Sequence, residues 1–263
     1  MKKVKIKNKK KFIFLLIVLL LILLVIILNR NKIHDFLFPI YEVKDRTSNV
    51  EKYKKKYGKD VVIGWIRVQG TNIDYPIINN YAYSDYIDNY AWMNGKPEHL
   101  SDYMPIYGHN VRNVSIPPVV GDSSMGRFEQ LSGFLYFDFA QKNKYIELTY
   151  DGKNYLYKIF SISTEDQNDS KSFYYNLDEK NEKTKFINKS LKNSFYKYNV
   201  SVNNNDKLVS LITCTRIYEN THTNLKIDGK LVKSSNKGYN YGMHEKESYK
   251  KIKKILEGDG EDV

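Results

Sequence analysis

Tyr145-Ile-Glu-Leu-Thr-Tyr-Asp-Gly-Lys-Asn-Tyr-Leu-Tyr-Lys-Ile-Phe160 decides the fold class. Two β-rich runs, 145–150 and 155–160, flank Asp151-Gly152. Asp-Gly supplies the positive φ angles of a tight antiparallel turn, so the stretch reads as a β-hairpin. Upstream, Val61-Val-Ile-Gly-Trp-Ile-Arg-Val68 is β-rich and stops at Gln69-Gly70, and Asn72-Ile-Asp-Tyr-Pro-Ile-Ile78 alternates after a short turn. Pro76 has no N–H to donate, which places that second run at a strand edge. Downstream, residues 208–213 and 225–232 complete a set of short strands, with Asp228-Gly229 marking a local bulge or bend in the last of them. Residues 182–198 are the one helix expected between them. Ile187, Leu191, Phe195 and Tyr198 recur there at helical spacing and are expected to pack on the sheet. A second helical pattern spans 34–58, with Gly58 as its stop. The class is a mostly β domain with one inserted helix and an N-terminal helix.

The chain has 263 residues and a net charge of +12. Nine of its Lys and Arg residues lie in residues 1–32 with no acid among them, leaving 33 bases against 30 acids elsewhere. That balance argues against a nucleic-acid-binding face. Residues 1–11 form a basic segment and residues 12–28 an unbroken apolar run, about 25 Å long at ~1.5 Å per residue. Asn29-Arg30-Asn31-Lys32 offers no small-residue cleavage site, so the run is expected to be an uncleaved, single-pass membrane anchor. The lysines would keep the N-terminus cytoplasmic and leave the remainder outside the cell. Residues 29–58 are then a helical linker packed on a domain of residues 59–233, and 234–263 a polar tail, loosely held, with a weak helix near 243–256.

Cys214 is the only cysteine, closing the run Leu208-Val-Ser-Leu-Ile-Thr-Cys214. A lone thiol forms no internal disulfide, and in an oxidising setting it is a liability unless it has a task. To act as a nucleophile it needs a partner that takes or supplies its proton. Of five histidines, His34 and His244 lie in flanking segments and His99 in a loop. His109, in Pro105-Ile-Tyr-Gly-His-Asn110, and His222, in Glu219-Asn-Thr-His-Thr223, are both candidates on residue chemistry alone. Gly108 is expected to let the backbone turn and present the His109 imidazole. The acids lack ligand spacing and the histidines are scattered, so no metal is expected. No phosphate loop and no cofactor site are expected either.

Ile63-Gly-Trp-Ile-Arg-Val-Gln-Gly-Thr-Asn-Ile-Asp-Tyr-Pro-Ile77, Tyr107-Gly-His109-Asn110 and Leu211-Ile-Thr-Cys214 occur in this order. The set resembles the sortases, membrane-anchored cysteine transpeptidases of Gram-positive bacteria, over roughly residues 40–232. The helices before the first strand and before the cysteine strand resemble class B members. The resemblance implies a closed eight-stranded sortase-type β-barrel with an N-terminal helix and a long helix before the cysteine strand. It implies Cys214 as nucleophile and His109 as the histidine that protonates the leaving amine. The substrate would be the C-terminal sorting motif of a surface protein or pilin. The acceptor would be an amine of a cell-wall precursor or a pilin lysine. Tyr107 and Thr213 are candidates to line the substrate groove.

One position departs from the family. Sortases place an arginine in the strand after the cysteine, and Asn224 stands there in this chain. Asn224 is one candidate oxyanion donor, and Arg216, two residues after Cys214 on the same strand face, is another. Lys226 is a minor third. A neutral donor in place of a charged one costs roughly one to two kcal/mol, or about tenfold or more in rate. A weak or inactive relative that only binds sorting-signal peptides is the rival reading, and Asn224 is the feature that favours it. A plain secreted cysteine protease is a third.

Overall fold

The computed structural model describes residues 9–28, 41–80, 87–110, 128–167, 177, 179–215, 217–218, 223–233, 240 and 242–257. In chain order its elements are α1 (Lys9–Leu28), α2 (Thr47–Tyr57), β1 (Val62–Val68), β2 (Asp74–Ile78), β3 (Ala91–Trp92) and β4 (Tyr103–Tyr107). A 3₁₀ turn at Glu129–Leu135 leads to α3 (Phe137–Lys142), β5 (Tyr145–Tyr150), β6 (Lys153–Asp166) and α4 (Lys180–Asn193). Then come β7 (Tyr196–Lys197), β8 (Leu208–Thr215), β9 (Thr223–Val232), β10 (His244–Glu245), a 3₁₀ turn at Glu247–Tyr249 and α5 (Lys250–Glu257). Eight strands close into a barrel in the order β1-β2-β3-β4-β8-β9-β6-β5, the expected architecture, and β7 pairs with β10 beside it. All of these elements except α1 belong to one unit, residues 42–233 with 239–263.

The hairpin forms as its turn dictates. Asp151 has φ 49° and Gly152 φ 66°, the double positive φ that matches the twist of flanking strands. The ladder runs from Tyr150↔Lys153 to Tyr145↔Lys158. β6 then continues past the expected end at Phe160 to Asp166, because residues 161–166 go on pairing with β9; Phe160 is an extra residue, where that pairing shifts register between Ile159 and Ser161. The irregularity expected at Asp228-Gly229 thus lies opposite that pair. Gly229 itself is small because a Cβ would come within 3.1 Å of Val209 and 3.2 Å of Tyr157. Pro76 sits just before β2 begins to pair with β3 at Ile77↔Ala91, on a locally free edge. Alternate residues such as Ile66, Ile106, Leu148, Ile162, Leu211 and Ile227 fill the barrel.

α2 stops at Gly58, whose φ is 109° and whose N–H reaches Lys54 O. The helix is pinned to β1 and β2 at its start. Arg46 Nε donates to Asp74 Oδ1 at 2.9 Å, Trp65 Nε1 donates to the same oxygen at 2.6 Å, and Tyr53 packs edge-on against Trp65 at 5.1 Å.

Three expectations need correction. α4 ends at Asn193, so Phe195 and Tyr198 are buried off the helix. Ser194 is extended, its Oγ accepts from Ile162 N at 3.2 Å, and Phe195 N donates to Ile162 O at 2.8 Å. The β6 ladder captures the chain where helical spacing alone would carry it on. The face α4 buries is Lys183, Phe186, Ile187 and Ser190, while Leu191 is 40% exposed.

The tail is not loose where it is described. β10 pairs with β7, and Met243, Tyr249 and Ile252 are buried in the main core. Tyr249 Oη donates to Leu135 O at 2.8 Å. A polar average hides three well-spaced apolar side chains.

The anchor is the third correction. Among the described residues no helix is long and apolar enough to cross a membrane. The single-pass anchor at 12–28, the membrane as a partner and the cell-membrane location with an outward-facing domain do not stand.

Candidate active site

β8 alternates between the barrel interior and the outer face. Val209 and Leu211 belong to the interior core, whereas Cys214 is exposed next to the strand's end. β4 lies parallel to β8, in register from Tyr103↔Leu208 to Tyr107↔Ile212, and Gly108 N donates to Ile212 O at 3.1 Å. His109 and Cys214 therefore each lie two residues past the last paired couple, at the same end of adjacent strands. Asn110 Nδ2 donates to Cys214 O at 3.0 Å and fastens the two strand ends together. Trp92 holds the imidazole of His109 at a centroid distance of 4.9 Å and stacks on Tyr107 at 5.8 Å. Tyr90 meets the imidazole edge-on at 6.5 Å.

Gly108 serves a different purpose from the one expected. It is not among the positive-φ glycines. A Cβ there would lie 2.3 Å from the ring of Phe128, whose N–H also donates to His109 O at 3.0 Å. The glycine lets an aromatic ring back the histidine segment.

On the other flank, Cys214 pairs with Asn224 of β9, which in turn pairs with Glu165 of β6. Asn224 is 7% exposed. Its Oδ1 accepts from Gln167 Nε2 at 2.9 Å, and the same nitrogen lies 3.5 Å from Cys214 Sγ and 3.5 Å from Thr223 O. Lys226 is excluded as a donor to the thiol. Its Nζ bonds Glu165 at 3.0 Å, lies 3.6 Å from Asp228, and sits over the Phe186 ring at 4.3 Å. Burial pushes the Asp228 carboxyl above its usual range, against the pull of Lys226 and of a hydroxyl bond from Ser210 at 2.5 Å.

The remaining candidates divide clearly. Tyr107 is half-buried beside His109. Thr213 is 3% exposed and pairs with the core residue Leu225, so the structure does not bring it to a groove. Arg216, His222 and His34 lie outside the described residues. His99 pairs with Asp151 at 3.3 Å, and His244 is on β10, neither at this site. Among the described residues no group of three or more His, Cys, Asp and Glu could hold a metal. Sequence reasoning missed Asn110 and Gln167 as site residues. Asn110 had a signal, its place beside the histidine. Gln167 had none, because it reaches Cys214 only through the β6–β9 register.

The barrel defines a class that sequence comparison also finds: residues 66–232 match the family described as Sortase domain, and the chain belongs to the sortase family of cysteine transpeptidases. Its likeness runs to class B. It is 26% identical over 195 residues to sortase B of Staphylococcus aureus, covering 69% of this chain and 74% of that protein. It is 28% identical over 207 residues to sortase B of Listeria monocytogenes, covering 73% and 76%. Among solved structures, a Staphylococcus aureus sortase B–substrate complex matches with a TM-score of 0.56 at 21% identity, over 71% of this chain and 85% of that one. The first two are likenesses of sequence and the third of fold.

Proposed function

We propose that Cys214 is the nucleophile and His109 the general acid of this transpeptidase, carried on a catalytic barrel of residues 59–233. The observation that supports this most is the matched ending of β4 and β8, which brings the exposed thiol and His109 to the same end of adjacent strands. Sγ attacks the carbonyl carbon of the scissile peptide in a C-terminal sorting motif. A C–S bond forms, the C–N bond breaks, and His109 gives its proton to the departing amine. An incoming amine then attacks the thioacyl carbon. The new C–N bond forms, the C–S bond breaks, and His109 takes the proton back. Two such steps have lower barriers than one direct exchange. The acyl donor is a sorting-motif-bearing surface protein or pilin. The acceptor is an amine of a cell-wall precursor or a pilin lysine.

Asn224, beside Cys214 on β9, stands where the family's arginine acts, and it supports a second reading, a barrel that binds sorting peptides without cleaving them. Mass spectrometry after incubation with candidate sorting peptides separates the two. A transpeptidase shows a thioacyl adduct on Cys214, absent in Cys214→Ala and slow to form in His109→Ala. Bound peptide with no adduct at any pH would establish the binder.

A further inference from the structure

The side chain facing the sulfur of Cys214 on the β9 side is not that of its strand partner. Asn224 turns its Oδ1, an acceptor, toward Gln167. An acceptor does not stabilise a developing oxyanion. The N–H group directed at Sγ belongs to Gln167, one residue past the end of β6. A primary carboxamide carries two N–H donors. One is spent on Asn224 Oδ1 at an ordinary 2.9 Å. Among the described residues the other has only the sulfur and Thr223 O, both at 3.5 Å, longer than the ~2.7–3.2 Å of a well-formed N–H···O bond. It is weakly engaged and placed for a stronger acceptor.

We propose that Gln167 is the oxyanion donor on this flank of the site, and that Asn224 holds it in place. The proposal rests on Cys214 being the nucleophile. When Sγ bonds the carbonyl carbon, the developing oxyanion lies one bond beyond that carbon, so a donor already beside the sulfur is within its reach. Asn224 is buried and fixed by its strand ladder, so Gln167 is oriented before any substrate arrives. Such preorganisation is what makes a neutral amide effective at this task. The pairing also protects the donor from the neighbouring acid. Glu165, opposite Asn224, is bonded to Lys226 at 3.0 Å, which draws its carboxylate away from the oxyanion position.

Two reactions of one thiol test the assignment without knowledge of the sorting motif. Acylation by p-nitrophenyl acetate, read as a nitrophenolate burst, passes through an oxyanion. Alkylation by iodoacetamide does not. Gln167→Ala is expected to slow the burst about a hundredfold and to leave alkylation within about twofold, with an unchanged melting curve. A burst within about threefold of the parent overturns the proposal. So does a parallel fall of both reactions, which would mark Gln167 as structural. A burst that survives Cys214→Ala overturns the nucleophile assignment, and Gln167's role with it. A burst lost in Cys214→Ala but kept in Gln167→Ala overturns the Gln167 role alone.

Discussion

Two halves of one surface, the outer face of β6, β9 and β8, make opposite uses of polar side chains. Beneath α4 the face is charged and sealed, with Lys226, Glu165 and Asp228 all at least 94% buried. One step further along the same strands, at Asn224 and Cys214, it is neutral, and Cys214 is exposed. A buried ammonium is tolerable only with carboxylates to compensate it, and Lys226 has two. A guanidinium at 224 would face Glu165 directly, and would compete with Lys226 for it. With Asn224 there, charge serves folding in one half, and the other half carries uncharged amides.

The division can be broken from either side. Lys226→Met leaves two buried carboxylates uncompensated and is expected to cost about 3–5 kcal/mol in denaturant unfolding. Adding Glu165→Gln with Asp228→Asn should restore most of the stability, and in that triple variant the rate per folded molecule should match the parent. Lost activity at full stability would put Lys226 in the site and erase the contrast. Gly108→Ala forces a Cβ into Phe128 and is expected to cost about 1–3 kcal/mol, with a fall in acylation as His109 is displaced. Asn224→Ala should slow acylation about tenfold while changing stability by less than about 1 kcal/mol. A loss of several kcal/mol instead would assign Asn224 to the folding half.

The smallest expected effect lies away from both halves. Burial raises the Asp74 carboxyl, but bonds from Arg46 and Trp65 outweigh it and hold it below 3.8. A lowered acid stabilises the fold above its unfolded value and loses that contribution as pH falls through the folded one. Arg46→Ala should therefore remove about 1 kcal/mol at neutral pH, and the difference from the parent should shrink below about pH 4. A difference that persists into acid would mean packing, not charge, holds α2.

How much was legible follows the range of each interaction. The hairpin turn, Pro76 and the Gly58 stop are local and were readable. Cys214 and His109 stood out because a lone thiol and a glycine–histidine motif are chemically conspicuous, and the ordered motifs carried the family. Apart from the anchor, what failed depended on partners distant in sequence. Phe160 bulges because of β9, the chain leaves α4 because Ile162 offers a ladder, and the tail docks because β7 is there to pair with. Gln167 becomes a site residue, and Lys226 ceases to be one, only once β6 and β9 are in register.

The parallel pairing of β4 with β8 has a kinetic consequence. The two strands that lead to His109 and Cys214 are separated by most of the barrel sequence, and the bond from Asn110 to Cys214 closes a span of 104 residues. Contacts of that separation form late and slow folding. A chain emerging from the ribosome would carry β4 with one open edge until β8 has been made, a strand free to pair wrongly in the meantime. The strand end at Cys214 and the closed barrel would then form together, and a product cut before β8 would lack both.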